Sequence, residues 1–259
     1  MTVADSIPIK SADEIAVMRR AAQVAALALR DVCAAVRPGV TTRELDRLAE
    51  DRIRALGAVP SFLGYRGYPA SVCISVNDEV VHGIPGRRAL REGEIVSLDL
   101  GAEIDGFHGD TAVTVPVGEI DEPRRRLLAV TAEALEEGIK AVRAGARLGD
   151  VGGAIQRHAE RAGFSVVRDF AGHGVGRRLH EEPQVPNFGR RGTGLVLRTG
   201  MTLAIEPMVN MGGPDVVMER DGWTVRTADG RPSAHFEHTV AVTETGADVL
   251  TRLPAEASV

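Results

Sequence analysis

The chain has 259 residues, of which 44% are hydrophobic and 26% are charged, a balance typical of a globular protein with a substantial core. The 36 acidic and 31 basic residues give a net charge of −5, which argues against a broad nucleic-acid-binding surface and a specific nucleic-acid partner. The two cysteines, Cys33 and Cys73, form no Cys-x-x-Cys pair, so the sequence indicates a reducing compartment and no zinc ribbon.

The N-terminal stretch "MTVADSIPIKSADE" lacks the apolar region of a secretory signal. No apolar run approaches the roughly 20 residues that a membrane-spanning helix needs. We therefore expect a cytoplasmic protein without a membrane partner.

Helical signals come first along the chain. Ser11 and Glu14 form a potential capping box before an apolar pattern of helical spacing, which the "RPG" at 37–39 should end. A second helix is predicted from Thr42 to Gly57. Two more are predicted at about 123–143 and 150–162.

Stretches of the first half align with stretches of the second: 35–57 with 141–163, 90–99 with 197–206, and 109–115 with 236–242. The alignment places Asp99 over Glu206 and Asp110 over Glu237. Helical segments resemble one another by chance, and an old duplication could keep only fold-determining residues. Carboxylates at the ends of apolar strands are nevertheless costly unless they are paired or bind metal. We predict one domain, 1–259, with an internal repeat of roughly 11–118 and 119–250.

The stretch 94–115 predicts a β-hairpin that turns near residues 104–106. A turn centred between Ile104 and Asp105 would place Asp99 directly opposite Asp110, with Cβ atoms about 4.5–5.5 Å apart. A bound cation would relieve the repulsion between the two carboxylates. The alternative is a hairpin with incidental acids, which we favour for other acids near turns, namely Glu103, Asp105 and Glu244.

Glu206 ends an apolar strand before Pro207, and Glu237 lies in another predicted strand. Four carboxylates and one imidazole suit a centre of two metal ions about 3.5–4 Å apart. This oxygen-rich set suits Mn²⁺, Fe²⁺, Co²⁺ or Zn²⁺. The stretch "GHGVGRRLHEEP" supplies His173 and His180. The residues alone leave open whether both bind metal, one is a catalyst, or both lie on the surface.

Five motifs occur in order: "GYPASVCISVNDEVVHGIP", "DGFHGDT", "GHGVGRRLHEEP", "IEPMV" and "AHFEHTV". With them, nearly the whole chain resembles the type I methionine aminopeptidases of the short bacterial kind, in peptidase family M24. The resemblance implies an α+β pita-bread fold, with two pseudo-symmetric halves around a curved antiparallel sheet. It also implies that the metal ligands are Asp99, Asp110, His173, Glu206 and Glu237.

The resemblance also favours a subtype. Only 31 residues separate Glu206 from Glu237, which leaves no room for the helical insertion of type II enzymes. We see neither an N-terminal zinc-finger extension nor the large N-terminal domain usual in prolidase and aminopeptidase P relatives.

Further roles follow from the resemblance. By resemblance, His82 is expected to face the substrate. The repeat also aligns "HGIP" (82–85) with "HEEP" (180–183), so His180 is the counterpart of His82, whereas His173 has none. We therefore expect His180 to contact the scissile carbonyl, His82 the leaving nitrogen, and His173 a metal. Glu206 is expected to shuttle protons as well as bind metal. The methionine pocket is expected to be lined by Tyr65, Tyr68, Cys73, Leu179 and Trp223.

Two residues depart from the family pattern. Leu179 stands where an aromatic residue is expected, and Arg66 stands where histidine is expected. Asn77, Glu79 and Ser233 match positions whose backbone oxygens bind a monovalent cation in relatives. We predict that His158 lies on a solvated helix face and that His235 and His238 support Glu237 or pack beside it. His108 receives no role.

The expected activity is removal of the initiator methionine from nascent polypeptides with a small second residue, by two divalent ions (Co, Mn, Fe or Zn) that activate water. Expected partners are nascent N-termini and the ribosome, and we expect a monomer. One alternative is an X-Pro peptidase of the same fold. The other is a non-catalytic interaction protein, which would be expected to have lost ligands.

Overall fold

The computed structural model describes residues 7–254. Residues 1–6, part of the stretch that was searched for a secretory signal, and residues 255–259, the end of the predicted domain, lie outside the described residues. Within 7–254, no helix combines the length and the apolar character that crossing a membrane requires.

Four helices form close to where the sequence predicts them. They are α1 (Ala12–Ala35), α2 (Thr42–Ala55), α3 (Glu122–Lys140) and α4 (Leu148–Arg161). The capping box of α1 is confirmed, because Ser11 Oγ accepts from the Glu14 backbone N–H and the Glu14 carboxylate accepts from that of Ser11. Thr41 and Glu44 form the same arrangement at α2.

The strands are mostly short. In chain order they are β1 (Val59–Pro60), β2 (Cys73–Val76), β3 (Glu79–Val81), β4 (Ile95–Ile104), β5 (Phe107–Pro116), β6 (Ser165–Val166), β7 (Gly172–Gly174), β8 (Glu181–Val185), β9 (Thr202–Ile205), β10 (Met208–Asn210), β11 (Val216–Met218), β12 (Val225–Thr227), β13 (Ser233–His235), β14 (Glu237–Val242) and β15 (Ala247–Val249).

The central sheet is antiparallel and has nine strands among the described residues. Its main order is β1-β4-β5-β14-β9-β7-β8, with β2 beside β4 and β15 beside β14. The predicted hairpin is therefore confirmed as β4 and β5. Two three-stranded sheets, β13-β10-β6 and β11-β12-β3, complete the β structure.

The helices pack against the central sheet through two apolar clusters. One joins α1 and α2 to β2 and β4, and includes Leu29, Leu45, Ile74 and Leu98. The other joins α3 and α4 to β9, β10 and β14. Burial of these side chains fixes both helix pairs against the strands.

Helix α1 crosses β5 at very short range, and Gly109 makes this possible. A Cβ atom at Gly109 would lie 2.4 Å from the Ala22 Cα. The missing side chain therefore lets the helix backbone approach the strand that carries Asp110.

Candidate metal centre and substrate cleft

Three acidic residues meet on one face of the central sheet. Ala112 of β5 pairs with Asp99 of β4 on one side and with Glu237 of β14 on the other. Asp110 lies two residues before Ala112 on the same strand, and alternate residues share a face. The three carboxylates therefore surround the small side chain of Ala112.

The predicted direct opposition of Asp99 and Asp110 is wrong. Asp110 pairs with Gly101, whereas Asp99 pairs with Ala112. The hairpin turns between Asp105 and Gly106, both with positive φ (51° and 76°), as a two-residue Asp-Gly turn allows. This turn lies one residue beyond the predicted centre. The two acids are consequently diagonal neighbours on the same face.

The second half of the chain contributes Glu206 and His173. Glu206 directly follows β9, and His173 of β7 pairs with Ala204 of that strand. Residues 204 and 206 are two apart along the chain and so share a face of the sheet. The side chains of His173 and Glu206 therefore lie on the same side. His173 Nε2 lies 3.5 Å from Glu206 Oε1 and 3.8 Å from Asp110 Oδ2.

Hydrogen bonding defines which nitrogen of His173 faces the acids. His173 Nδ1 lies 2.8 Å from the Gly174 carbonyl oxygen, which can only accept, so Nδ1 carries the proton. The Nε2 lone pair is then free on the side of the carboxylates. A backbone carbonyl that orients a metal-binding histidine in this way is a common feature of metal sites.

Burial strongly affects the ionisation of the four acids. It raises the pKa of Asp110 to about 7. It also raises the pKa of Asp99, Glu206 and Glu237 well above their usual values, an effect that the neighbouring carboxylates increase. Four buried carboxylates are costly to ionise together unless a cation compensates them.

The arrangement fits divalent metal ions. Ligand atoms of Asp110, His173 and Glu237 all lie within 4.8 Å of one another. Asp99 Oδ1, Asp110 Oδ1 and Glu237 Oε1 are buried and have no hydrogen-bond partner. Asp99 and Glu206 line the same cavity as this triad. The five side chains thus provide oxygen atoms and one imidazole nitrogen that a cation would satisfy.

The cavity has an acidic floor and an apolar wall. It encloses about 630 Å³ of empty space, including its open mouth. Its wall includes one apolar cluster, namely Phe62, Tyr65, Tyr68, Cys73, Leu179 and Trp223. Tyr68 meets Trp223 edge to face at 5.0 Å, and its hydroxyl donates to the Gly83 carbonyl. The wall is therefore rigid and largely apolar.

Two further histidines line the cavity. His82 has a left-handed backbone (φ 61°), uncommon for a residue with a side chain, and burial lowers its pKa to about 4. His180 is exposed to solvent, and its ring stacks on that of Tyr65 with centroids 5.2 Å apart. Its pKa is lowered by desolvation and then by the nearby His173 and Arg66. Both imidazoles are neutral near pH 7.

Three contacts of the site were not foreseen. Phe62 lines the cavity, and its place three residues before Tyr65 in an aromatic-rich segment was the available signal. Phe170 meets the His82 ring edge to face at 5.7 Å. A buried ion pair of 2.5 Å joins Lys10 to Glu181, the residue after His180. The two residues lie far apart in the sequence, so no local pattern predicted the pair.

Of the four remaining histidines, one lies beside Glu206 and three make contacts elsewhere. His235 is buried, and its Nε2 lies 3.6 Å from Glu206 Oε2. His238 Nδ1 bonds the Thr251 hydroxyl, and His108 Nδ1 bonds that of Ser61. His158 lies on α4 beside Glu133, partly exposed.

The predicted monovalent-cation residues are partly brought together. The Ser233 backbone N–H donates to the Asn77 carbonyl oxygen at 2.9 Å. The Glu79 carboxylate accepts from the Val76 backbone N–H. These hydrogen bonds explain the local structure without a cation, so cation binding there remains a prediction without support.

Comparisons with known proteins agree with this geometry. Residues 16–244 match the model of metallopeptidase family M24. The chain is 50% identical over 244 residues to methionine aminopeptidase 1 of Bacillus subtilis, covering 94% of this chain and 98% of that protein. Methionine aminopeptidase of Clostridium perfringens is 51% identical over 245 residues, covering 95% and 98%.

Solved structures give the same relationship. Methionine aminopeptidase from Thermotoga maritima superposes with a TM-score of 0.94 at 51% identity, covering 95% of this chain and 100% of that one. Prolidase from Pyrococcus furiosus has a TM-score of 0.77 at 24% identity and covers 95% and 66%, so it shows the fold alone. The predicted pita-bread fold, a curled antiparallel sheet with four helices, is confirmed. The chain belongs to metallopeptidase family M24 and, within it, to the methionine aminopeptidases.

Proposed function

We propose that this protein removes the initiator methionine from nascent polypeptides and prefers a small second residue. The observation that carries the proposal is the cavity, which joins a cluster of four acids and His173 to an apolar aromatic wall. An aminopeptidase needs a hydrolytic centre within reach of a pocket for one side chain. The acidic cluster and the apolar wall line this single cavity.

We infer that two divalent ions, of the Co, Mn, Fe or Zn type, are held by Asp99, Asp110, His173, Glu206 and Glu237. The unpartnered buried oxygens of these acids support this inference. Bound there, such ions polarise the scissile carbonyl and make water available as hydroxide near neutral pH.

The apolar wall is the proposed site of the first side chain. A methionine thioether is soft and polarisable and makes favourable contacts with aromatic rings such as those of Tyr68 and Trp223. Leu179 is only 2% exposed and packs in the same cluster. The free N-terminal amine is proposed to lie at the acidic floor, which explains action on the first peptide bond alone.

Proton transfer is assigned to Glu206. Its place beside the other acids at the cavity floor supports the proposal, because a carboxylate within reach of the attacking water can accept its proton. Glu206 would take a proton from the attacking water and deliver it to the leaving nitrogen. His180 is proposed to donate to the carbonyl oxygen and His82 to contact the leaving side of the bond. The neutral state of both rings lets each act as a single donor.

The preference for a small second residue rests on the family resemblance. So does the proposal that the enzyme works in the cytoplasm as a monomer near the ribosome, where nascent N-termini emerge. A monovalent cation near Asn77, Glu79 and Ser233 is proposed on the same resemblance.

The test is a peptide panel with the metal-stripped protein reconstituted separately with Mn²⁺, Fe²⁺, Co²⁺ and Zn²⁺. We expect removal of methionine from Met-Ala-Ser, Met-Gly-Ser and Met-Ser-Ser. Slow or undetectable release from Met-Lys-Ser and Met-Trp-Ser is expected. Efficient cleavage of those two peptides would contradict the second-residue preference.

The same panel separates the alternatives. Cleavage of Ala-Pro peptides in preference to methionine peptides would instead indicate an X-Pro peptidase. Inactivity with every metal would indicate a non-catalytic protein. The intact set of acids and His173 at the cavity floor favours the peptidase proposal over the latter.

A further inference from the structure

One positively charged side chain lies at the mouth of the cavity. Among the described residues that line it, Arg66 is the sole arginine or lysine. Its side chain is exposed, and its guanidinium carbon lies 5.3 Å from the centroid of the Tyr65 ring. By contrast, Arg226 contacts three carboxylates, those of Asp78, Glu79 and Glu219. Within 7–254, Arg66 forms no such ion pair.

The backbone holds Arg66 at this position. It is the central residue of a 3₁₀ turn, Tyr65–Gly67, with φ 49° and ψ 25°. The turn is closed by hydrogen bonds from the Gly67 N–H to the Gly64 carbonyl and from the Tyr68 N–H to the Tyr65 carbonyl. A left-handed conformation suits glycine or asparagine better than arginine. An arginine with this backbone conformation therefore has a conformational cost.

The turn also connects Arg66 to the reacting end of the cavity. The Tyr65 ring contacts the guanidinium and stacks on the His180 ring at 5.2 Å, with planes 14° apart. Arg66 thus lies at the open side, beyond a residue proposed to contact the scissile carbonyl.

We propose that Arg66 recognises a carboxylate on the part of the substrate that follows the scissile bond. The inference rests on the proposed function, since the first side chain then fills the apolar wall and the rest of the peptide leaves through the mouth. An exposed guanidinium that forms no ion pair within 7–254 can bind a substrate carboxylate through two parallel hydrogen bonds. It also offsets the repulsion between an acidic peptide and a protein of net charge −5.

The residue type matters for this role. Arginine keeps its charge at every physiological pH, whereas the histidine expected from the family pattern is mostly neutral at pH 7. A solvent-exposed pair contributes modestly, so we expect a preference of about two- to fivefold for acidic peptides at low ionic strength. Salt should weaken the preference, because ions screen exposed charges.

The carboxylate has two chemical sources, an Asp or Glu side chain and the C-terminus of a short peptide. Four peptides separate them: Met-Ala-Ser-Ser amide, Met-Ala-Asp-Ser amide, Met-Ala-Lys-Ser amide, and Met-Ala-Ser-Ser with a free C-terminus. The measurement is kcat/KM for each, at low and high ionic strength, with one metal loading throughout.

The variants are Arg66→Gln, which removes the charge, and Arg66→Glu, which reverses it. Arg191→Ala is the control, because Arg191 is exposed in a loop outside the cavity and its loss changes the net charge by one unit, as Arg66→Gln does. Each readout is a ratio of charged to neutral peptide within one variant. General loss of folding or metal therefore cancels.

We expect the wild-type protein and Arg191→Ala to favour at least one carboxylate peptide over the neutral amide at low ionic strength. Arg66→Gln should lower that ratio two- to fivefold, and Arg66→Glu should favour the lysine peptide. A response to the free C-terminus alone identifies terminal carboxylate recognition, and a response to aspartate identifies side-chain recognition. Equal ratios in wild type and both Arg66 variants would overturn the proposal. Failure of the wild type on every methionine peptide would instead overturn the proposed function.

Discussion

The rings of His173 and His180 lie side by side, with centroids 4.0 Å apart and planes tilted by 30°. Only His173 directs a nitrogen at the acids, because its Nδ1 is fixed by the Gly174 carbonyl. His180 instead stacks on Tyr65 at the cavity edge. Two neighbouring imidazoles are therefore placed for different tasks.

The first prediction separates these tasks. His180→Ala should keep both metal ions and the fold but reduce kcat by about 10²- to 10³-fold, as loss of one donor to a developing oxyanion typically does. His173→Ala should lose affinity for one metal, and excess metal should partly restore activity. Metal stoichiometry beside kcat measures both effects. If His180→Ala loses metal while His173→Ala keeps it, the roles are reversed.

The second prediction concerns Asp110, which with His173 and Glu237 would hold metal ions at the cavity floor. Asp110→Ala should abolish activity and reduce bound metal. Asp105→Ala is a matched control, because Asp105 lies in the turn of the same hairpin and contacts Arg20 at the surface. It should retain metal and activity. Full metal occupancy in Asp110→Ala would contradict the assignment.

The third prediction concerns pH. Burial raises the pKa of Asp110 from 3.8 to about 7, so the folded metal-free protein binds more protons than the unfolded chain between those values. Stability from this group is present below about pH 4 and is lost as pH rises to 7, with a total on the order of a few kcal/mol. Asp110→Asn removes this dependence.

The measurement is the Tm of both proteins in a chelator. The Tm of Asp110→Asn minus that of wild type should increase between about pH 5 and pH 8. Neutralising Asp110 also removes its repulsion of Asp99, Glu206 and Glu237, which increases the difference in the same direction. Adding Mn²⁺ at the higher pH should stabilise wild type more, because the bound ion favours the folded state. A difference that is independent of pH would refute the shift.

The fourth prediction concerns Leu179. It is smaller than the aromatic residue expected there, and it packs beside Tyr68 and Cys73 in the wall. We expect the pocket to accept bulkier first side chains, such as norleucine analogues, more readily than Leu179→Phe does. The ratio of kcat/KM for analogue and methionine peptides measures this. An identical ratio in both proteins would show that residue 179 does not set the pocket size.

The fifth prediction tests the contact between α1 and β5. Gly109→Ala should destabilise the protein by about 1–3 kcal/mol or more, because the new methyl would meet the Ala22 backbone. Gly246→Ala is the control, since no atom lies within 4 Å of a Cβ there, and it should change stability by less than about 0.5 kcal/mol. Denaturant unfolding compares them, and equal effects would contradict the close approach.

Local chemistry was sufficient for the four helices and for the hairpin of β4 and β5. The Ser11 and Glu14 capping box, the Arg37-Pro38-Gly39 helix end and the alternating strands of the hairpin act through neighbours along the chain. The apparent repeat also singled out the acids Asp99, Asp110, Glu206 and Glu237 before any family resemblance. The repeat itself remains a prediction.

Tertiary structure decided how those residues meet. The hairpin register is an exception, because the local Asp105-Gly106 turn sets it and places Asp99 opposite Ala112, one turn position from the predicted centre. Residues far apart in sequence complete the site, as Lys10 does at Glu181 and His235 near Glu206. Such contacts depend on the packing of sheet and helices. Local sequence determines which elements form, and the burial of their shared faces decides which side chains become neighbours.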